Sequence, residues 1–243
     1  MMNFEVQNTV GSIVAKDLRF ADVFKKNGID FCCGGGATIE AACAGKNIDP
    51  KEILRQIEEM ATTNSSALGI DFNTFPLDLL VDYIEKTHHR YIRENVPLII
   101  QYVDKVASVH GDRHPELVEV RDLFHGCAVE ITNHLAKEEE ILFPYIKQLV
   151  EADLSGSEIS MAPFGSVKNP IAMMIEEHEG EGARFEKISA LTNNYTVPED
   201  ACMTYRVTFD KLKDFEEDLH NHVHLENNIL FLRAAELESR LVK

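Results

Sequence analysis

Two ten-residue segments repeat one arrangement of a histidine, a glutamate and three apolar residues. Residues 134–143 read HLAKEEEILF and residues 222–231 read HVHLENNILF, so each has Glu four places after the first His and ends in Ile-Leu-Phe. In an α-helix, residues four apart differ by only about 40° in direction and stack one turn apart. The histidine and the glutamate of each segment therefore face the same way.

The apolar end of each segment predicts that this shared direction is inward. The residues on the two inward stripes are His134, Glu138 and Ile141, and His222, Glu226 and Ile229. A buried carboxylate is costly unless a cation compensates it, and a metal ion or a basic side chain can do so. The alternative is a pair of exposed His–Glu contacts, each worth a few tenths of a kcal/mol. Repetition with the same apolar continuation argues against that alternative.

Each segment also has a histidine at a matching distance upstream. His89 precedes His134 by 45 residues, and His178 precedes His222 by 44 residues. The chain thus has the layout of two helical hairpins that bring four imidazoles and two carboxylates to one centre. Such a set suits two metal ions bridged by carboxylates, and mixed nitrogen and oxygen ligation favours iron or manganese over structural zinc.

The other histidines are interpreted as lying off this centre. His88 is about 100° around the helix from His89, and His89 shares a stripe with Ile92, Val96 and Ile99. His89 is therefore the preferred inward residue. Surface positions are expected for the rest, which are His110, His114, His125, His220 and His224.

A second feature is the vicinal cysteine pair of the segment IDFCCGGG, Cys32 and Cys33. A helix is predicted just after the glycines, and its N-terminal N–H groups and dipole would lower thiol pKa values. Glycine also allows a ligand or partner to approach the backbone closely. The alternative is that both thiols are small buried hydrophobes. Two thiols alone cannot complete a zinc site.

Composition excludes several classes of function. The net charge is −17 without a Lys/Arg cluster, which disfavours nucleic-acid binding. No apolar run approaches the roughly 20 residues of a membrane helix, and the start has no secretory signal pattern. Five cysteines in a chain of 243 residues argue for reduced thiols rather than a disulfide scaffold. A cytoplasmic protein without membrane or nucleic-acid partners is expected.

The pattern of the chain predicts an all-α fold of two domains. Residues 1–60 form a small helical domain with the vicinal cysteines, including a helical pattern across residues 9–30. Residues 61–75 are rich in Thr, Ser and Asn and are predicted as a linker. Residues 76–243 are predicted as an up-down four-helix bundle. Its helices are expected at about 76–109, 115–150, 168–193 and 198–240.

The vicinal-Cys DFCCGG segment joined to a bundle with two His-x-x-x-Glu motifs resembles the repair-of-iron-centres family of di-iron, hemerythrin-like proteins. HLAKEEEILFPYIK and LENNILF also resemble the family's bundle motifs, and the resemblance covers nearly the whole chain. It implies repair of iron–sulfur clusters damaged by nitrosative or oxidative stress, with iron supplied to damaged client proteins. It also implies a homodimer.

The resemblance further implies a cofactor of two non-haem iron ions with an oxo or hydroxo bridge and carboxylate bridges. Four histidines would be terminal ligands and two glutamates would bridge, namely His89, His134, His178 and His222 with Glu138 and Glu226. Cys32 and Cys33 would be the functional pair of the N-terminal domain.

Two other functions use the same di-iron centre. One is a nitric-oxide reductase, and the other is a sensor or carrier that binds oxygen or nitric oxide. Hemerythrins that carry oxygen have a further histidine where this chain has Gly182, and an aspartate where it has Asn227. Fewer imidazoles would leave open positions on iron, which suits release of iron or binding of nitric oxide better than oxygen carriage.

Overall fold

The computed structural model describes residues 4–63, 70–160 and 162–242. Every regular element in these ranges is helical, and their β-type pairings are isolated bridges, Thr9 with Thr38 and Ala162 with Gly165. The predicted all-α fold is therefore confirmed. Within the same ranges, no helix is both long enough and apolar enough to cross a membrane.

Short helices form the N-terminal part of the chain. They are α1 (Val10–Val14), α2 (Ala21–Lys26), α3 (Ile39–Ala44) and α4 (Pro50–Thr63). Thr9 and Thr38 cap α1 and α3 by accepting hydrogen bonds from backbone N–H groups of the first turn. The helical pattern expected across residues 9–30 is divided by the 3₁₀ turn Leu18–Phe20, because Asp17 accepts the N–H of Arg19 and starts a new turn.

Longer helices follow, and within the described ranges three π-helical turns interrupt them. The α-helices are α5 (Leu77–Ile84), α6 (Arg90–His110), α7 (Glu116–Lys137), α8 (Phe143–Ser155), α9 (Lys168–Leu191), α10 (Met203–Leu225) and α11 (Phe231–Leu241). The π turns are π1 (Glu85–His89), π2 (Glu138–Leu142) and π3 (Glu226–Leu230), which join α5 to α6, α7 to α8 and α10 to α11. The four long helical runs expected from the sequence are thus present.

The fourth run begins later than the sequence predicts. Pro198 was the expected start, but α10 begins at Met203. Asn193, Asn194 and Tyr195 have φ values of 48°, 53° and 57°, so three successive left-handed residues end the preceding helix. Left-handed backbone cannot continue a right-handed helix, and the chain needs several more residues to re-enter one.

The described chain divides into two compact units. The first contains Met1–Val81, Leu149–Ser160 and His220–Lys243, and the second contains Asp82–Gln148 and Met161–Leu219. Of the expected linker at residues 61–75, residues 64–69 lie outside the described ranges. Helix α4 continues to Thr63, and a 3₁₀ turn occupies Phe72–Thr74. The sequence-based division into domains stays a prediction.

Aromatic rings from four helices meet in the core of the second unit. The ring of Phe215 in α10 lies 6.2 Å from Tyr91 in α6, 5.5 Å from Phe124 in α7 and 5.6 Å from Phe185 in α9, between centroids. Such close, tilted or stacked contacts add to the free energy gained by burying the rings. One side chain therefore joins these four helices into a bundle.

The first unit has an apolar core of its own. Helices α2 and α3 both pack on α4, and their buried residues include Phe24, Ile39 and Ile57. From the C-terminal part of the chain, Phe231 and Ala234 of α11 are buried as well. Helix α4 is thus fixed along its apolar stripe, in the way expected of an amphipathic helix.

The equivalent isoleucines of π2 and π3 differ in burial. Ile141 was expected to follow His134 and Glu138 on the buried stripe, but it is 49% exposed, whereas Leu142 is 1% exposed. The prediction for Ile141 is therefore wrong, and the reason lies in the packing around this turn, because the equivalent position of π3 follows the same helical irregularity. In the other copy the expectation holds, since Ile229 is buried.

Candidate metal centre

The side chains expected as metal ligands in the second unit lie at or near two π turns. His89 is the last residue of π1, and Glu138 is the first residue of π2. His134 lies one turn before Glu138 on α7, and His178 lies in the middle of α9. π turns inside helices occur frequently at functional sites, because the widened turn redirects a side chain.

These side chains converge in the buried interior. His89 and Glu138 are 0% exposed, and His134 and His178 are 3% exposed. The Oε2 atom of Glu138 lies 3.4 Å from Nε2 of His89 and 3.4 Å from Nε2 of His134. Nε2 of His178 lies 3.0 Å from Nε2 of His134. Ligand atoms of His134, Glu138 and His178 all fall within 4.8 Å of one another.

Two further carboxylates orient the imidazoles from outside. Glu139 Oε1 lies 2.7 Å from Nδ1 of His89, and Glu177 Oε2 lies 2.8 Å from Nδ1 of His134. A carboxylate only accepts hydrogen bonds, so Nδ1 of each ring carries the proton and Nε2 presents its lone pair inward. Carboxylates that fix the tautomer in this way are a regular feature of metal sites built on histidine.

Each outer carboxylate is held ionised by a basic residue. Burial alone would raise the pKa of Glu139, but hydrogen bonds from Arg93 and His89 outweigh burial and the pKa is lowered. The same balance lowers the pKa of Glu177, where Lys137 and His134 donate. Neither glutamate was identified from the sequence. The signal available was an acidic residue beside a candidate ligand, and such residues are common on solvated faces.

The first unit holds the other expected pair. His222 and Glu226 are both 0% exposed, and His222 Nε2 lies 2.9 Å from Glu226 Oε1. Glu226 begins π3, as Glu138 begins π2, so the two copies of the repeat share a helical irregularity as well as a spacing. Each unit therefore presents a buried His-x-x-x-Glu pair at the start of a π turn.

The remaining histidines only partly match their expected surface positions. His125 is exposed, and His114 and His220 are half-buried. His110 is instead buried, with Nε2 3.2 Å from Cys202 Sγ. His224 is completely buried in contact with Phe31. Those two expectations are wrong, because an angle measured around one helix does not show what covers its other faces.

His88 is buried together with its neighbour His89. Its Nδ1 lies 2.9 Å from Asp218 Oδ1, so it is accommodated by a hydrogen bond of its own in the second unit. Two adjacent histidines can both be buried here because different elements cover the two sides of the helix. The expectation that only one of these two histidines points inward is therefore wrong with respect to burial.

The vicinal cysteines lie on a loop organised by Asp30. The Asp30 carboxylate accepts backbone N–H groups of Cys32, Cys33 and Gly34 at 2.9, 3.0 and 2.8 Å. Cys32 Sγ also lies 3.2 Å from Asp30 Oδ1. Both thiols are reduced, with Cys32 buried and Cys33 half-buried.

The thiol chemistry differs from the expectation of lowered pKa values. The hydrogen bond with Cys33, burial, and the negative charge of Asp30 raise the pKa of Cys32. The N–H groups expected to stabilise a thiolate are occupied by the Asp30 carboxylate. Helix α3, whose dipole was expected to help, begins only at Ile39. The expectation of a lowered pKa is therefore wrong for Cys32.

A cavity of about 190 Å³ reaches the histidine cluster of the second unit. Its lining includes His134 and His178, with Lys137 and Glu177 beside them and the apolar Leu219 further along. Lys137 and Glu177 form an ion pair. The cluster thus has an approach wide enough for a small ligand or a hydrated ion.

The donor set fits a metal ion of the kind predicted. Neutral imidazoles and carboxylates, buried and aimed at a common point, are the ligands preferred by iron and similar divalent metals. No thiol contributes to the cluster described in the second unit, which is unlike a structural zinc site. A helical bundle with inward-facing histidines and glutamates is characteristic of hemerythrin-type cation-binding proteins.

Comparison with known proteins agrees with this class. The family profile for the hemerythrin HHE cation binding domain matches residues 80–234. A second profile, for a domain of unknown function named DUF542, matches residues 6–61. The first match spans all six residues expected as metal ligands, and the second spans the vicinal cysteines.

Curated relatives cover almost the whole chain. The iron-sulfur cluster repair protein ScdA of Staphylococcus haemolyticus is 32% identical over 225 residues, 93% of this chain and 96% of that protein. The iron-sulfur cluster repair protein YtfE of Citrobacter koseri is 33% identical over 233 residues, 96% and 98% of the two chains. A probable iron-sulfur cluster repair protein of Haemophilus influenzae is 34% identical over 212 residues, which are 87% of this chain and 89% of that protein. The chain belongs to the family of the ScdA and YtfE iron–sulfur cluster repair proteins.

Proposed function

We propose that this protein repairs damaged iron–sulfur clusters by supplying iron from a carboxylate-bridged pair of non-haem iron ions. The proposed ligands are His89, His134, Glu138, His178, His222 and Glu226. The names and coverage of the relatives support the repair function, and the buried histidine and glutamate clusters support iron as the metal.

The observation that carries the proposal is the position of one carboxylate between two imidazoles. Glu138 Oε2 lies 3.4 Å from Nε2 of both His89 and His134. Each of those imidazoles has its own outer carboxylate, which fixes its lone pair toward Glu138. A carboxylate placed symmetrically in this way has the arrangement of a bridge between two cations, each with its own histidine.

The second His-x-x-x-Glu pair is proposed to provide the matching half. His222 and Glu226 repeat the spacing, the burial and the π turn of His134 and Glu138. The hemerythrin profile includes both copies in one match. With Glu226 as a second bridge, two carboxylates would offset part of the charge of two ferrous ions.

Bound iron would supply the metal needed to rebuild a cluster and would exchange electrons. The protein's own residues set how tightly that iron is held. Glu139 and Glu177 hold the proton of two imidazoles on Nδ1 and keep the rings correctly turned, which favours binding through Nε2. Six ligands shared by two ions leave positions for water or a client ligand, which favours release.

Other features belong to the same proposal. Cys32 and Cys33 are proposed to receive iron or contact the damaged client, with half-buried Cys33 the more accessible of the two. We further propose that the protein acts in the cytoplasm as a homodimer during nitrosative or oxidative stress. These assignments follow from the family resemblance.

The test is transfer of iron from purified, anaerobically loaded protein to an apo iron–sulfur protein with sulfide and a thiol reductant. His134→Ala/Glu138→Ala should lose transfer, because a bridging carboxylate and an imidazole are removed. His125→Ala/Glu140→Ala is a matched control, since both residues are exposed. Equal transfer by wild type and the buried-pair variant would contradict the proposal, as would loss of transfer in the control.

A second candidate function is binding or reduction of nitric oxide, or binding of oxygen, at the same centre. The cavity of about 190 Å³ that reaches His134 and His178 supports access by a diatomic molecule. Turnover of nitric oxide by reduced, iron-loaded protein, with nitrous oxide detected by gas chromatography, tests the enzymatic form. Product no greater than with metal-free protein would exclude a reductase.

A further inference from the structure

Asn228 connects the vicinal-cysteine loop to the helical turn that contains Glu226. Its side-chain amide Nδ2 donates to the carbonyl of Cys32 at 2.8 Å and lies 3.4 Å from the carbonyl of Phe31. Asn228 and Glu226 belong to the same five-residue turn, π3. One side chain thus joins the backbone of the cysteine loop to the turn of a proposed iron ligand.

His224 makes a second contact from the same helix. It lies one turn before Asn228, is completely buried, and has Nδ1 at 3.3 Å from the carbonyl of Phe31. Its ring also packs against the Phe31 ring, with centroids 5.8 Å apart. The same Nδ1 atom lies 3.3 Å from Asn228 Nδ2, so the two side chains are in contact with each other as well as with the loop. His224 and Asn228 therefore hold consecutive carbonyls of the loop.

Two glycines make this approach possible. A Cβ atom on Gly11 would lie 2.3 Å from Asn228 Oδ1, and one on Gly35 would lie 2.4 Å from the same atom. The two glycines are themselves joined, since the N–H of Gly11 donates to the carbonyl of Gly35 at 2.8 Å. Their role is thus close approach, and the partner that approaches the CCGGG loop is the Asn228 side chain.

We propose that Asn228, assisted by His224, is a positioning residue that couples the conformation of the Cys32–Cys33 loop to the turn carrying Glu226. The coupling to iron rests on the proposed metal site, whereas the positioning of the thiols does not. Asp30 holds the N–H groups of the loop and Asn228 holds its carbonyls, so the loop is fixed from two sides. Any movement of the loop must break these bonds or move π3.

Coupling of this kind acts in both directions. If a change at the thiols alters the affinity for iron, iron must alter the state of the thiols by the same factor. The physical link is the Asn228 side chain, which lies on the same turn as Glu226 and is hydrogen-bonded to two carbonyls of the loop. The conformation of the loop would therefore depend on whether the iron site is occupied. A client bound to the loop would in turn change the affinity for iron and so influence its release.

The first test measures how well buried Cys32 is protected. Metal-free full-length protein is treated with iodoacetamide, and modification of Cys32 and Cys33 is followed by mass spectrometry. Asn228→Ala should accelerate modification of Cys32 about tenfold, because two carbonyls lose a donor. Asn228→Asp should do the same at nearly constant volume, since a carboxylate cannot donate.

The matched control is Asn95→Ala in helix α6. Asn95 Nδ2 donates to the Tyr91 carbonyl four residues earlier, so the variant loses the same kind of bond in the second unit. Thermal unfolding is recorded for each variant, and rates are compared at a temperature where all are folded. Protection of Cys32 that is unchanged in both Asn228 variants, or equally lost in Asn95→Ala, would overturn the proposal.

A pair of substitutions checks the close contact directly. Gly11→Ala should expose Cys32, because the nearest atoms to the new Cβ all belong to Asn228. Combining it with Asn228→Ala should add little to the effect of Asn228→Ala alone, since the two closest atoms, Oδ1 and Cγ, are removed and only Cβ at 3.0 Å remains. Fully additive effects would contradict the arrangement.

The second readout is the coupling to iron, which a purely structural role would not change. Ferrous affinity is measured anaerobically for wild type and Asn228→Ala, before and after alkylation of Cys33. Alkylation should weaken ferrous binding in wild type and have no further effect in Asn228→Ala. An equal effect in both proteins refutes the coupling. A wild type without ferrous affinity refutes the proposed function instead, and Cys32 protection still decides the positioning role.

Discussion

Replacing Glu139 tests whether the outer carboxylate sets the affinity for iron at His89. Glu139 is not an expected ligand, but its Oε1 lies 2.7 Å from His89 Nδ1 and its Oε2 lies 2.6 Å from an Arg93 nitrogen. Glu139→Gln keeps an acceptor for the imidazole and removes only the charge. Glu139→Ala removes both, so Nδ1 loses its partner and the ring can turn.

The expected size of the effect follows from these contacts. Loss of an outer partner of a metal-bound histidine weakens metal affinity about 10-fold to 100-fold. Glu139→Gln should weaken ferrous binding about 10-fold, which corresponds to about 1.4 kcal/mol, and Glu139→Ala should weaken it about 100-fold. The lost ion pair with Arg93 adds little, because the Arg93 side chain is 52% exposed.

The assay is an anaerobic titration with ferrous ion against a coloured chelator of known affinity. Glu140→Gln is the matched control, since it makes the same substitution at the next residue, which is exposed. Its affinity should equal that of wild type. If Glu139→Gln and Glu139→Ala also bind ferrous ion as tightly as Glu140→Gln, the orienting role of the outer carboxylate is refuted, and the assignment of His89 is weakened with it.

Three further predictions concern stability and thiol chemistry. Phe185→Ala should destabilise the protein by about 3–5 kcal/mol in chemical denaturation, because the fully buried ring stacks on Phe215; a loss below about 1 kcal/mol would contradict the bundle core. Asp30→Asn should lower the pKa of Cys32, because it removes one of the causes that raise it; the pH dependence of alkylation measures this, and an unchanged profile would contradict it. Hydrogen bonds to Glu116 and Asp200 outweigh burial and raise the pKa of His114. The contribution of protonated His114 to the free energy of unfolding is therefore complete below about pH 6.5 and is lost as the pH rises through the pKa of the folded state. His114→Gln should therefore flatten the fall in unfolding free energy between about pH 6 and 8, and an unaltered slope would exclude this ion pair as its cause.

Much of the fold could be predicted because helical periodicity is a local property. The long helical runs were expected within a few residues, since apolar spacing and proline or glycine positions mark them directly. The starts of helices were less reliable. Pro198 is an acceptable first-turn residue in isolation, but three left-handed residues before it delay the next helix to Met203.

Burial of individual histidines was predicted less well. An angle around one helix places His224 away from Glu226, and that inference says nothing of the Phe31 loop that covers it. His110 is buried against Tyr205, another partner distant in the sequence. Residues that pack on a side chain from far along the chain leave no local pattern, so exposure cannot be read from one helix.

By itself, the sequence determined the helical class, the repeated His-x-x-x-Glu pairs and the cysteine pair, because spacing along a helix fixes which side chains share a face. The tertiary structure decided which residues form hydrogen bonds with those groups and so set their orientation. Only long-range packing brings Glu139 and Glu177 to the imidazoles and Asn228 onto the Cys32 carbonyl. Ile141 and Ile229 occupy the same place in equivalent π turns, yet only Ile141 is exposed, a difference in packing that the repeated pattern does not encode.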